Sequence, residues 1–276
     1  MKRIVIIFII ALQVLLVSSC SQSKVYPVEP EEDQVDISLS DMMGVQIRLD
    51  QAAQEVVLMS VCAAQIVEEL GARDQVAGIQ SNLDFKNSSG LRKYSKEEII
   101  SGLVEGDLFI ARDLDLTINE RRKFYERGQN LLLLSIKEEG DIYRAVEIIG
   151  RALGKNLAAK EEIKYLSSAW QELSDKSSYK GRIYIERDGE SLGRGSYISK
   201  SLDKLGFENV NEGQGQGYFS AKELKALKPD FLLVLGKEED IDKEKFKDFK
   251  VLYFQEDNFY GINFVEEYEK LIKALK

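Results

Sequence analysis

After residue 35 the hydrophobic pattern alternates short apolar runs with helical stretches, and it is clearest between Glu55 and Gln80. Val56–Met59 is an unbroken, valine-rich apolar run, as a strand covered on both faces requires. A polar turn opens at Ser60, a helical pattern runs from Ala63 to Leu70, Gly71 stands just past its end, and Val76–Ile79 reads as the next strand. Strand, helix and strand at this spacing predict a βαβ unit with parallel strands. The turn Ser60–Ala63 then falls at a strand's carboxyl end, where open α/β sheets bind ligands.

The pattern continues on both sides. Ile37–Leu39 and Val45–Leu49 alternate around Asp41-Met42-Met43-Gly44 and predict a hairpin. A polar loop, Ser81–Ser95, contains Asn82, Asp84, Phe85 and Tyr94 and leads to a helix around Lys96–Leu103 and a strand at Asp107–Ala111. Arg112–Asp115 reads as a loop, Thr117 caps a charged helix ending at Gly128, and Leu131–Leu134 is a buried strand. Asp141–Leu153 and Leu157–Asp175 are helical; the second, about 19 residues at 1.5 Å each, spans about 28 Å. The plan then repeats. Arg182–Glu186 is a strand, Asp188–Ser196 a glycine-bearing loop, Tyr197–Leu205 a helix and Asn211–Phe219 a second glycine-rich loop. Ser220 caps a helix at Lys222–Leu227, strands follow at Phe231–Leu235 and Val251–Phe254, and Asn263–Leu275 closes the chain as a helix.

The two halves align in order. Leu70-Gly71 recurs as Leu205-Gly206, and Glu97-Glu98-Ile99 before Asp107-Leu108-Phe109-Ile110 recurs as Glu223-Leu224 before Pro229-Asp230-Phe231-Leu232. Offsets of about 135 and 125 residues suit two related lobes with unequal loops.

The N-terminus departs from this pattern. Lys2 and Arg3 precede an apolar run from Ile4 to Val17 and then Ser18-Ser19-Cys20, which is the layout of a secretory signal. Val17–Cys20 resembles a bacterial lipobox, which implies cleavage before Cys20 and its lipidation; the alternative is a plain signal peptide with an incidental cysteine. Ser21–Gln34, polar and unpatterned with Pro27 and Pro30, reads as a tether. The expected organisation is signal peptide 1–19, tether 20–35, N-terminal lobe 36–138, a helical segment 139–177 with the interlobe helix, and C-terminal lobe 178–276.

Charge and composition narrow the function. The 276 residues carry 38 Lys and Arg against 47 Asp and Glu, a net charge of −9 without a basic block, which argues against nucleic acid. The sequence has no histidine, so histidine-rich metal capture and Ser-His-Asp or Cys-His catalysis are excluded. Gly193-Arg194-Gly195-Ser196 and Gly213-Gln214-Gly215-Gln216-Gly217 lack P-loop or Rossmann spacing and read as loop punctuation. With Cys20 lipidated, Cys62 is left without a disulfide partner.

The βαβ stretch, with its Ser-containing turn and Leu-Gly-Ala helix end, resembles the first lobe of class III solute-binding proteins, the receptors of ABC importers for iron–siderophores, haem and cobalamin. The family's Ser-Pro-x-x-Thr-Glu turn is replaced here by Ser60-Val61-Cys62-Ala63-Ala64-Gln65. Asp41–Gly44 is similar to the family's Asp-x-x-Gly entry, and Ser220–Leu235 to its Ser-x-x-Glu-Leu-x-x-Leu-x-Pro-Asp pattern; the resemblance covers roughly residues 36–276. It implies an α/β protein of two Rossmann-like lobes joined by a single long α-helix with the ligand cleft between them. It also implies a monomeric, lipid-anchored periplasmic or extracellular receptor, with no enzymatic activity and no permanent cofactor, that delivers a metal chelate to an ABC permease and its ATPase. Iron–siderophore is the first expectation and corrinoid or haem the second. A surface lipoprotein that kept the fold as a sensor or adhesin is the alternative.

Phe85, Arg112, Arg187, Arg194, Tyr197, Tyr218 and Tyr260 are the candidate cleft residues. Aromatic walls and bidentate guanidinium groups suit a large, flat, partly anionic chelate. Cys62 reads either as a packing residue or, near a helix N-terminus that lowers a thiol's pKa, as a soft ligand to a chelated metal. By resemblance one acidic residue per lobe meets the permease: Glu223 in the second lobe, and Glu98 in competition with Glu97 in the first. The other reading is that these acids favour their helix N-termini. If the lipobox reading holds, Cys20→Ser moves the protein from the membrane fraction to the soluble one; retention in the membrane with unchanged processing would refute it.

Overall fold

The protein is described here by a computed structural model covering residues 36–83, 85, 87–177, 179–236 and 243–275; Cys20, the expected signal peptide and the tether lie outside the described residues. β1 (Ile37–Ser40) and β2 (Gln46–Leu49) form the expected antiparallel hairpin. β3 (Val56–Leu58), α1 (Val61–Glu69) and β4 (Val76–Gln80) build the βαβ unit, with β3 and β4 parallel. β5 (Lys93–Tyr94), α2 (Lys96–Ser101), β6 (Leu108–Arg112), α3 (Ile118–Glu126) and β7 (Leu131–Leu134) complete the first half. Two helices follow, α4 (Glu139–Ala152) and α5 (Asn156–Lys176). The second half contains β8 (Gly181–Arg187), β9 (Glu190–Ser191), α6 (Tyr197–Lys204), β10 (Phe207–Asn209), α7 (Ala221–Leu227) and β11 (Phe231–Leu235). It ends with α8 (Lys243–Phe246), β12 (Val251–Phe254) and α9 (Phe264–Leu275).

Among the described residues these strands form the hairpin and two five-stranded sheets. The first has the order β5-β4-β3-β6-β7, all parallel; the second has β10-β8-β11-β12, parallel, with β9 antiparallel on β8. The apolar runs supply the middle: β3, β7 and β11 are buried along their whole length, as helices on both faces of a parallel sheet demand. In each sheet the chain winds outward from a central strand and then reverses, giving a switch point between β3 and β6 in the first and between β8 and β11 in the second.

The halves repeat down to individual hydrogen bonds. Asp107 donates its backbone N–H to Glu55 O at 2.8 Å and accepts from Gln54 and Glu55 N–H on its carboxylate, fastening the start of β3. Asp230 does the same for β8, its N–H on Arg182 O at 2.8 Å and its carboxylate accepting from Arg182 N–H at 2.6 Å. Asp41, fully buried, accepts from Met43 and Val45 N–H and from Leu133 N–H on β7, tying the hairpin to the first sheet.

α5, which follows the first half in the chain, packs against α4 and α9. A Cβ on Gly150 in α4 would run into Ala159 of α5. The helix therefore keeps a residue that costs about 1 kcal/mol relative to alanine, because the close approach outweighs propensity. Trp170 of α5 packs on Phe264 and Tyr268 of α9, ring centroids 5.3 and 5.4 Å apart. No helix among the described residues is long and apolar enough to cross a membrane.

Three expectations shift. The turn Ser60–Ala63 is already the first turn of α1, with Ser60 as its N-cap accepting from Ala63 N–H at 3.3 Å. Arg112 and Arg187, read as loop-side residues, are the last residues of β6 and β8. β5, β9 and β10 had no apolar run to announce them, being two or three residues long.

Candidate functional site

Topology selects the place to look, because ligands of open α/β sheets bind at strand carboxyl ends beside the switch points. In the first sheet that position holds Ser60–Gln65 after β3 and Arg112 at the end of β6; in the second it holds Arg187 at the end of β8. The segment after β12, a 3-10 turn at Glu256–Phe259 followed by Tyr260 and Gly261, lies across α1 and joins the two halves. Gly261 sits so close to α1 that a Cβ there would overlap Gln65 and stand 3.5 Å from the Cys62 Cα. Gln65 Nε2 donates to Asn258 Oδ1 at 3.3 Å across the same junction.

A strip of polar contacts runs through this junction. Arg112 donates to Asp115 from Nε (3.2 Å) and Nη2 (3.1 Å), while its Nη1 lies 3.0 Å from Asp257 Oδ1 in the other half. Its guanidinium also lies over the Tyr260 ring, 5.6 Å from the centroid. Burial disfavours the Arg112 charge, but the Asp115 and Asp257 carboxylates outweigh it and hold its pKa above the ordinary value. On the other side Arg187 Nη1 meets Glu256 Oε1 at 2.8 Å. The Gln216 amide, oriented to satisfy both neighbours, links Arg187 to Glu190 at 2.5 and 2.7 Å, and the Tyr218 hydroxyl donates to Glu190.

The glycines of the second half serve this strip. A Cβ on Gly193 would overlap the Gly213 and Gly215 carbonyls, and one on Gly195 would overlap Gln214. Their absence lets the two loops lie against each other, and Ser191 and Gly217 exchange backbone hydrogen bonds at 2.7 and 3.0 Å, carrying Tyr218 beside Glu190. The loop-punctuation reading thus acquires a mechanical reason.

Of the expected cleft residues, Arg112, Arg187, Tyr218 and Tyr260 come together along this strip. Tyr260 is buried beneath Arg112, and burial first, then Glu256, pushes its pKa up to about 12. Tyr218 remains 76% exposed. Phe85 is half-buried in the loop between β4 and β5. Arg194 goes elsewhere: Glu208 and Glu212 draw it, each at 3.5 Å, and Glu208 also lies 4.0 Å from Arg182 at the amino end of β8, the edge opposite Arg187. Tyr197 is a correction as well. It is buried in the first turn of α6 and packs behind Tyr260, centroids 5.2 Å apart, so it supports the strip from the core.

Of the two readings of Cys62, the structure favours the packing residue over the metal ligand. At 1% exposure it lies beneath the Gly261 junction, and burial pushes its thiol up to about 11 although Arg112 and Ser60 pull the other way. Desolvation outweighs the helix N-terminus, which disfavours the thiolate that the metal-ligand reading needs. Asp115, Glu190, Gln216, Glu256 and Asp257 were not anticipated as site residues; the signal available was a carboxylate three residues after each strand-ending arginine, Arg112 to Asp115 and Arg187 to Glu190.

Glu98 and Glu223 occupy one position in the repeated plan. Each is the third residue of its helix and closes a capping box, with Ser95 and Ser220 respectively. Both are exposed, and the hydrogen bonds from these serines lower their pKa values. Glu98, and not Glu97, is the structural counterpart of Glu223.

No family model matches the chain, and no curated protein matches its sequence. Solved structures do resemble it. An ABC-type Fe3+-hydroxamate transport protein of Saccharomonospora viridis has a TM-score of 0.71 at 15% identity, over 87% of this chain and 98% of that one. The periplasmic haem-binding protein RhuT of a Roseiflexus species has 0.70 at 16%, over 80% and 97%. The periplasmic vitamin B12-binding protein BtuF of Vibrio cholerae has 0.66 at 14%, over 81% and 97%. At these identities the likeness is one of fold: the chain has the two-lobed α/β fold of these binding proteins, as the resemblance in its sequence implies.

The buried thiol yields a direct test. With an unfolded pKa of about 8.5 and a folded one of about 11, the thiol's contribution to stability is complete below the unfolded value and lost as pH rises towards the folded one. In a soluble form without Cys20, Cys62 should react with an aromatic disulfide reagent at pH 8 at least about a hundredfold more slowly in native than in urea-unfolded protein. Equal rates would place Cys62 at the surface.

Proposed function

We propose that this chain is the substrate-binding receptor of an ABC importer. It is lipid-anchored through Cys20 outside the cell membrane and delivers a metal chelate from the cleft between lobes 36–138 and 178–276 to a permease. The helical segment 139–177 holds the lobes with little hinge motion. The observation that carries the reading is the meeting of two switch points, one per sheet, across the strip from Arg112 to Tyr218. A fold shared with binding proteins for Fe3+-hydroxamate, haem and vitamin B12 supports the ligand class. An iron–siderophore is the first assignment and corrinoid or haem the second, a haem iron having no histidine here to take as an axial ligand. Phe85, Arg112, Arg187, Tyr218 and Tyr260 are the proposed cleft residues.

Delivery needs a docking face. Glu98 and Glu223, equivalent and exposed, mark it on the two lobes. Leu114 and Ile118, 77% and 72% exposed just after β6, add apolar surface of the kind a partner covers. Glutamine retains the capping box and removes the charge. Glu98→Gln with Glu223→Gln should therefore leave thermal stability and chelate affinity unchanged. It should also lower receptor-stimulated ATPase activity of the reconstituted importer by about tenfold. Full stimulation by the double variant would remove these residues from the interface.

A further inference from the structure

The charge balance of the strip, taken with the receptor reading on which this inference rests, specifies the charge of the ligand. Arginines in a cleft suggest an anionic guest only when their charge is available. Here Arg112 is held on three of its nitrogens, Nε and Nη2 by Asp115 and Nη1 by Asp257. Arg187 is held by Glu256 at 2.8 Å and by the Gln216 amide oxygen.

Along the strip two guanidinium groups therefore face four carboxylates, those of Asp115, Asp257, Glu256 and Glu190. Glu190 differs from the other three: the groups that meet it are neutral donors, the Tyr218 hydroxyl and the Gln216 amide. Asp188, exposed at the tip of the β8–β9 hairpin, adds a further negative charge close by. Beside Glu190 stands the Tyr218 ring, fastened at its hydroxyl and 76% exposed. A carboxylate next to a fixed, accessible aromatic ring is a receptor for an ammonium group, through charge pairing and through the ring quadrupole.

We infer that the cleft selects a chelate bearing a cationic group, seated against Glu190 and Tyr218, and that Arg112 ties the two lobes together through Asp257 while Arg187 holds the Glu256 segment within the second lobe, neither receiving an anion. An anionic chelate would have to displace Asp257 or Glu256 from its arginine and leave that carboxylate facing a like charge. A cationic chelate would neutralise Glu190 and leave both arginine ion pairs in place.

The test uses the mature protein and three probes: a ferric trishydroxamate with a pendant primary ammonium, the same chelate N-acetylated to neutrality, and a ferric tris-catecholate, which is anionic. Calorimetric titration at low salt should show the ammonium chelate binding about tenfold more tightly than its acetylated twin, with the tris-catecholate weakest. The difference should shrink as salt is raised. In Glu190→Gln, which retains a hydrogen-bonding side chain, the two hydroxamates should bind alike. Equal affinities in the native protein, tightest binding by the tris-catecholate, or an ammonium preference that survives Glu190→Gln would overturn this inference and leave the receptor reading standing. Failure of all three chelates to bind would overturn the iron–siderophore assignment and this inference with it.

Discussion

Arg112 is the point on which the arrangement turns. It closes a strand of the first sheet, where the backbone fixes its position, and its fork is filled on one side by Asp115 from its own half. The remaining nitrogen meets Asp257 from the other half at 3.0 Å, and the Tyr260 ring lies against the guanidinium. A partly buried guanidinium tolerates such a place when carboxylates complete its hydrogen bonding, and once it is paired, removing either partner leaves a desolvated charge behind. The Glu256–Tyr260 segment is held in this way against α1. Cys62 lies beneath it, and Glu190 and Tyr218 extend the strip outward.

The two halves reach this meeting point by the same route. A capping box starts α2 and α7, an aspartate then fastens the start of the neighbouring central strand, and the apolar strand that follows it is buried. A repeated plan puts strand carboxyl ends of both sheets at one junction, so residues far apart in sequence, such as Gln65 and Asn258, become neighbours. The glycine-rich loops belong to the second half alone, where they bring Tyr218 against the β8–β9 hairpin.

Much of this was legible in the sequence, and the reason is local. Val56–Leu58 and Leu131–Leu134 are apolar without interruption, so burial on both faces follows from composition. Ser95, Thr117, Ser196 and Ser220 cap helices within three residues of themselves, and Gly71, Gly128 and Gly206 take positive φ just past helix ends. What stayed hidden was long-range. β5, β9 and β10 are too short to carry a period and exist because a neighbouring strand offers hydrogen bonds. The helix alone left Cys62 open between packing residue and soft ligand, and the choice follows from its burial beneath Gly261, nearly 200 residues later. Arg194 and Arg187 look alike in sequence and part company because Glu208 and Glu256 stand at opposite edges of one sheet.

The most direct test of the account is hydrogen exchange read by mass spectrometry, with and without a saturating ferric trishydroxamate. The cleft between the switch points predicts slowed exchange in peptides spanning 61–66, 112–117, 187–191, 216–219 and 256–262, with the α5–α9 surface unchanged. Protection confined to α5 and α9, with the switch-point peptides exchanging as in the free protein, would contradict it.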